Sequence, residues 1–182
     1  MRWEMCRTGD FTEQEYRAVY EKLSPSRKAH MDAFSNAAAR RCSLAGELLL
    51  RRLLAAEGIA AVPERLPSGQ PVLPGGQAFV SISHCDDRVV CAVSRTPVGI
   101  DIEKVRPIRP GMMERVCTAE ELRYLRSGNE TERFFEVWTA KEAYFKMMGT
   151  GITNLQAINI LTLPRQVFRQ EDYLIQIVYE QS

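Results

Sequence analysis

The chain predicts an α+β fold built from two subdomains, residues 1–95 and 96–182. Both halves place helical segments beside short runs with the alternation of antiparallel strands. Arg95-Thr96-Pro97 is the one stretch suited to a boundary between them. The longest helical segments, Asn36 to Glu57 and Thr131 to Gly149, fall one in each half.

Met1 to Cys6 reads as an opening strand. Thr12 caps a helix running through Leu23, and Glu15 three residues later completes a capping-box pattern. Ser24-Pro25-Ser26 restarts the chain, with Pro25 suited to a first helical turn. From Asn36 to Glu57 the set Leu44, Ala45, Leu48, Leu49, Leu53 and Leu54 keeps helical spacing, and Gly58 ends the run. Pro63 to Gly76 is a loop in which proline and glycine deny any helix. Strands follow at Phe79 to His84 and Arg88 to Ser94, joined by a turn at Cys85-Asp86-Asp87. Val98 to Val105 makes another strand, and Pro107 and Pro110 bracket an irregular connection. Thr118 caps a helix from about Glu120 to Arg126, which Gly128-Asn129 breaks. Thr131 opens the long helix closed by Gly149 and Gly151. Leu155 to Leu161 and Tyr173 to Tyr179 are the expected closing strands. No internal sequence repeat is visible.

Composition narrows the function classes. With 182 residues, 45% hydrophobic and 26% charged, the chain can bury a sizeable core. Its 24 basic and 23 acidic residues leave a net charge of +1, so no nucleic-acid partner is expected. Cys6, Cys42, Cys85, Cys91 and Cys117 form no CxxC pair, which points away from disulfides and zinc and toward a reducing cytoplasm. The opening MRWEMCRTGDF has neither the apolar core nor the cleavage pattern of a secretory leader, and no apolar run is long enough for a membrane.

Two stretches carry chemistry. In VGIDIE, Asp101 and Glu103 alternate with Ile100 and Ile102, so both carboxylates share one strand face about 6.6 Å apart. Either they line an exposed face or they reach one cation. An all-oxygen set would select magnesium over zinc. In FFEVWTAKEAYFKMMG, Glu142 and Lys146 share a helix face at i and i+4. That spacing also describes an ordinary surface pair, although Trp138 and Phe145 nearby favour burial. Should this helix cross the strand, three carboxylates and one lysine meet. His84, after Ser81-Ile82-Ser83 at a strand end, is either structural or a phosphate contact. Arg40, Arg41, Arg51 and Arg52 are either a solvated edge or a phosphate clamp. No serine-histidine-aspartate arrangement, GxxxxGK or GxGxxG occurs.

The succession SPSRKAHMDAF, RRCSLAGELLLRR, GQPVLP, SISHC, VGIDIE and WTAKEAYFKMMG resembles the 4′-phosphopantetheinyl transferases of the surfactin-synthetase type, in the family's order from about Leu23 to Ile160. The resemblance implies two pseudo-twofold-related halves binding coenzyme A and magnesium, or manganese, between them. It implies transfer of 4′-phosphopantetheine to a serine of an apo acyl or peptidyl carrier protein, with release of adenosine 3′,5′-bisphosphate. By the same resemblance Asp101, Glu103 and Glu142 are metal ligands and Lys146 is the catalytic lysine near the diphosphate. His84, with Ser83 beside it, contacts a phosphate of coenzyme A; Arg41 holds the 3′-phosphate, with Arg27 and His30 as further contacts. Glu121 matches a glutamate that some members use in the metal shell or as the base, so Glu142 and Glu121 both stand as candidate bases. Lys141 and Trp138 belong to the motif as structural residues. Two features depart from the pattern: Gln70 replaces a lysine near the adenine, and the chain ends soon after Tyr179, where longer members add a strand. Acidic carrier modules would favour a local basic patch, for which Arg106, Arg109 and Arg115 qualify on charge. A monomer is expected. A binder without catalysis and a magnesium-dependent phosphatase or nucleotidyl enzyme are the rival readings.

Overall fold

The computed structural model describes residues 1–66 and 68–181, so Pro67 of the proline-rich loop lies outside the described residues. The chain divides into two compact units, Met1–Arg95 and Thr96–Ser182.

The first unit opens with strand β1 (Arg2–Arg7), followed by helices α1 (Glu13–Glu21), α2 (Pro25–Asp32) and α3 (Ala37–Ala56). Thr12 accepts from the Glu15 amide while the Glu15 carboxylate accepts from the Thr12 amide, which fixes where α1 begins and contributes about 1 kcal/mol. The proline-rich segment is less irregular than its composition implies: β2 (Glu64–Arg65) and β3 (Pro71–Val72) pair within it, and Pro74–Gly76 makes a 3-10 turn. Strands β4 (Phe79–Cys85) and β5 (Arg88–Ser94) form the hairpin, and the sheet order is β1-β5-β4, antiparallel throughout. Ala45, Leu49, Leu50 and Leu53 of α3 are fully buried in one core with Val89, Cys91 and Val93 of β5. Each such leucine contributes roughly 1.5–3 kcal/mol through its apolar area.

The second unit begins with β6 (Val98–Lys104), then α4 (Met112–Val116), α5 (Ala119–Arg126) and α6 (Glu130–Met148). Helix α4 lies just after Pro110, in the stretch before Thr118 for which the sequence offered no element. Asn129, not Thr131, caps α6 by accepting from the Glu132 amide, so the helix starts earlier than the sequence indicates. Gly149 ends it in the left-handed region at φ 69°.

The expected strand from Leu155 to Leu161 is not formed. Asn154 and Asn159 instead accept from amides two residues on and tighten the chain into 3-10 turns at Leu155–Ala157 and Ile160–Thr162. The strand itself comes later, as β7 (Arg165–Gln170), hairpinned to β8 (Tyr173–Tyr179). The sheet order is β6-β8-β7, again antiparallel.

Helix α6 lies across β6 and β8. Gly99 permits this: a Cβ built there would stand 1.8 Å from the Ala143 carbonyl oxygen and 2.8 Å from the Met147 amide nitrogen. Those atoms are backbone and cannot swing aside. In the first unit, Gly46 of α3 is less constrained, since its nearest neighbour would be the Ile82 side chain at 3.1 Å. Gly99→Ala is therefore expected to cost about 2 kcal/mol or more, and Gly46→Ala distinctly less. Denaturant unfolding of both variants measures the difference; equal losses would show that α6 does not depend on Gly99.

Candidate metal centre

The alternation of β6 puts Gly99, Asp101 and Glu103 on the face covered by α6. From α6, Trp138, Glu142 and Lys146 follow at successive turns along one stripe. The close approach at Gly99 brings the two sets together. One oxygen from each of Asp101, Glu103 and Glu142 lies within 4.8 Å of the others, a span that a single divalent cation can bridge.

The surroundings fix each acid. Asp101 is buried, and Lys146 Nζ stands 2.5 Å from its Oδ1. Trp138 Nε1 donates to Glu103 Oε1 at 3.1 Å, and Arg106 approaches Glu103 Oε2 at 3.7 Å. Three carboxylates face one lysine, and the charge balance shows it. Burial, then the charges of Asp101 and Glu103, push the Glu142 carboxyl up from its ordinary value near 4.5 to about 7, while Lys146 opposes the shift. Burial also raises Glu103; the Trp138 hydrogen bond and the Arg106 and Lys146 charges hold it down, and Asp101 adds to the rise. An all-oxygen donor set carrying excess negative charge suits a hard divalent cation, so these residues fit a metal.

The other candidates fall elsewhere. Glu121 caps α5 at its base and is fully buried: Thr118 N and Lys141 Nζ reach its Oε2, the latter at 2.6 Å, and the Ile160 amide donates to Oε1 at 2.8 Å. It is not one of the clustered acids. Lys141 also donates to the carbonyls of Val116 and Leu155, both at 2.7 Å, which matches its structural reading.

In the first unit, Arg41 bonds Glu13 and lies 4.4 Å over the Tyr16 ring, while His30 is exposed and edge-on to Phe34. Gln70 accepts from the Leu66 amide across a tight turn. Ser83 and His84 point to opposite faces of β4, Ser83 buried and His84 exposed. Arg27 meets Glu47. Sequence reasoning passed over Glu47, although a carboxylate at position 47, on the stripe of Leu50 and Leu54, was a visible signal.

The sign of the Glu142 shift sets a pH dependence. A carboxyl raised on folding binds its proton more tightly in the folded state, so stability falls as pH rises from about 4.5 to about 7. In the presence of a chelator, the thermal midpoint should drop across that window, and Glu142→Gln should flatten the drop. Added magnesium at pH 7.5 should raise the wild-type midpoint far more than that of Glu142→Gln. Parallel pH curves for the two proteins would show that Glu142 carries no uncompensated charge.

A family model described as the 4′-phosphopantetheinyl transferase superfamily matches residues 97–181. The chain is 30% identical over 174 residues to the 4′-phosphopantetheinyl transferase HetI of Nostoc sp., covering 86% of this chain and 72% of that protein. It is 35% identical over 152 residues to the 4′-phosphopantetheinyl transferase psf-1 of Bacillus pumilus, covering 75% of this chain and 64% of the relative. With the 4′-phosphopantetheinyl transferase gsp of Aneurinibacillus migulanus it shares 37% identity over 119 residues, 60% of this chain and 49% of the relative. The chain thus spans about half to two thirds of the length of these last two relatives. Among the described residues, no helix is long and apolar enough to cross a membrane.

Proposed function

The chain belongs to the 4′-phosphopantetheinyl transferase family, and from that membership we propose that it moves 4′-phosphopantetheine from coenzyme A to a serine of an apo acyl or peptidyl carrier protein. The observation that carries the reading is the meeting of Asp101, Glu103 and Glu142 beside Lys146. The three acids would hold magnesium, or manganese in its place. The cation would supply charge neutralisation at the diphosphate.

The residues divide the remaining work. The serine oxygen forms a bond to the phosphorus that carries pantetheine, and the bridging bond to adenosine 3′,5′-bisphosphate breaks. Negative charge grows on the departing oxygen, where the Lys146 ammonium, steadied by Asp101 at 2.5 Å, is the compact cation to meet it. The serine proton needs an acceptor. Glu121 is engaged by Lys141 and the Ile160 amide, which favours Glu142, directly or through a water, as that acceptor. Arg106, beside Glu103 and well exposed, is placed to meet an acidic carrier. The five free cysteines suit a reducing cytoplasm.

Mass spectrometry of an apo-carrier after incubation with the protein, coenzyme A and magnesium tests the reaction directly: a carrier left unmodified across acyl and peptidyl types would overturn the reading. Lys146→Ala should lower kcat by about a hundredfold with coenzyme A affinity changed far less. Lys146→Arg should recover little, because a planar fork cannot replace a compact ammonium beside Asp101. Normal loading by Lys146→Ala would reduce the lysine to a charge partner of Asp101.

A further inference from the structure

Gln176 occupies a place suited to an apolar residue. It lies on the face of β8 turned to α6, between Leu174 and Val178, and all three are buried, Gln176 completely. A polar side chain is rarely buried this deeply unless its donors and acceptors are all used. In the strand register Gln176 stands directly opposite Asp101. The two side chains therefore leave neighbouring strands on one face and at one level, with their Cβ atoms about 5 Å apart.

Half of this amide is accounted for. Its Nε2 donates to the backbone carbonyl of Glu136 in α6. An interior helical carbonyl already accepts from the amide four residues on, so this bond is an addition to the helix rather than a repair of it. The Glu136 side chain is held in turn by the Tyr124 hydroxyl and by Arg169. The bond settles how the amide is turned, because an oxygen facing Glu136 would set two acceptors against each other. Oε1 is then the other end, buried and without a hydrogen-bond partner among the described residues. Thr139, on the next turn of α6 and fully buried, does not supply one, since its own hydroxyl is unpartnered among them. Asp101 cannot supply one either, because a carboxylate only accepts.

We propose that Gln176 is a positioning residue of the metal centre, its Oε1 accepting a hydrogen bond from hydration water of a divalent cation held by Asp101, Glu103 and Glu142. The proposal rests on the metal reading above, and every residue in it belongs to the second unit. Magnesium gives up its hydration reluctantly and keeps several waters when carboxylates bind it. Such a water is a donor, which is what the buried Oε1 lacks. The Glu136 carbonyl aims the amide, and the register with β6 sets it at the level of Asp101. Gln176 touches neither the cation nor a substrate; it acts through the water.

Manganese, which carboxylate sites take as they take magnesium, is the probe. Its titration, with the free ion read by electron paramagnetic resonance, compares the wild type with Gln176→Met, Gln176→Glu and Thr139→Val. Thermal midpoints in chelator are measured alongside. Gln176→Met keeps the length of the side chain and removes both polar groups. It should weaken manganese by about tenfold or more without lowering the midpoint, since the unpartnered acceptor goes with the donor. Gln176→Glu keeps an acceptor at the same reach. It should hold manganese at least as tightly as the wild type, yet lower the midpoint by adding a fourth carboxylate and losing the donor to Glu136. Thr139→Val should bind manganese as the wild type does. A glutamine that only fastens α6 to β8 would move affinity and midpoint together. Unchanged affinity in Gln176→Met, a loss shared by Thr139→Val or accompanied by a lowered midpoint, or weaker binding by Gln176→Glu would each overturn the proposal and leave the metal reading intact. If Asp101→Ala bound manganese as well as the wild type, the metal reading would fail and the proposal with it.

Discussion

The missing side chain at Gly99 is the constraint on which the second unit turns. A helix normally stands off a sheet by the depth of its side chains, and carboxylates on the strand would then meet apolar atoms from the helix. With Gly99 under Ala143 the two backbones close at one point, which leaves no room for even a Cβ. Two and four residues further along β6, Asp101 and Glu103 consequently meet Lys146, Glu142 and Trp138 end to end. The acid cluster follows from a packing decision made at a residue that carries no chemistry.

A second constraint keeps that geometry from drifting. Lys141 and Glu121 form an ion pair with neither side chain exposed, an arrangement that loses most of its Coulomb gain to desolvation unless every other donor and acceptor is satisfied. Here they are satisfied: the three ammonium protons match Glu121 and the carbonyls of Val116 and Leu155, while the carboxylate also receives the amides of Thr118 and Ile160. The pair therefore ties α6 to α5, to the end of α4 and to both 3-10 turns.

Local chemistry was legible wherever it was self-contained. Thr12 with Glu15 read correctly as a capping box and Thr118 as a cap, because such motifs satisfy their own donors; that Glu121 completes the second box shows only in the fold. The Asp101-Glu103 alternation and the Glu142-Lys146 spacing were equally plain, yet each admitted a surface reading. Only the approach at Gly99, a long-range fact, separates the two. Errors came where side chains compete with regular structure. Leu155 to Leu161 has the apolar content of a strand, but Asn154 and Asn159 offer nearer acceptors and bend it into turns. Strand β7 was missed for the converse reason: Arg165 to Gln170 is an exposed edge strand, mostly polar on both faces, and its register comes from β8 rather than from its own pattern. Glu47 and Arg65 were invisible as a pair, since 18 positions separate them and only the fold joins them.

The two units show why the acid cluster forms in only one of them. Each has the same connectivity, a strand, a helix and a hairpin whose last strand pairs with the first, although no sequence repeat reveals it. In both, the first strand turns an acid toward the long helix. Glu4 of β1 faces Arg52 of α3 at 3.3 Å, one charge against one, with both side chains substantially exposed; such a pair is balanced and water-screened, and contributes at most about 1 kcal/mol. In the second unit the same strand face carries two acids, the helix adds a third, and Lys146 and Arg106 answer them in a partly buried cluster. The crowding of the acids raises the Glu142 carboxyl, and a hard divalent cation would relieve it. Glu47 repeats this logic with opposite sign in the first unit, where one buried acid answers two arginines. A shared scaffold therefore gathers three acids beside a lysine in one half and two arginines around one acid in the other, and the sign of each cluster follows from the residues its elements turn inward.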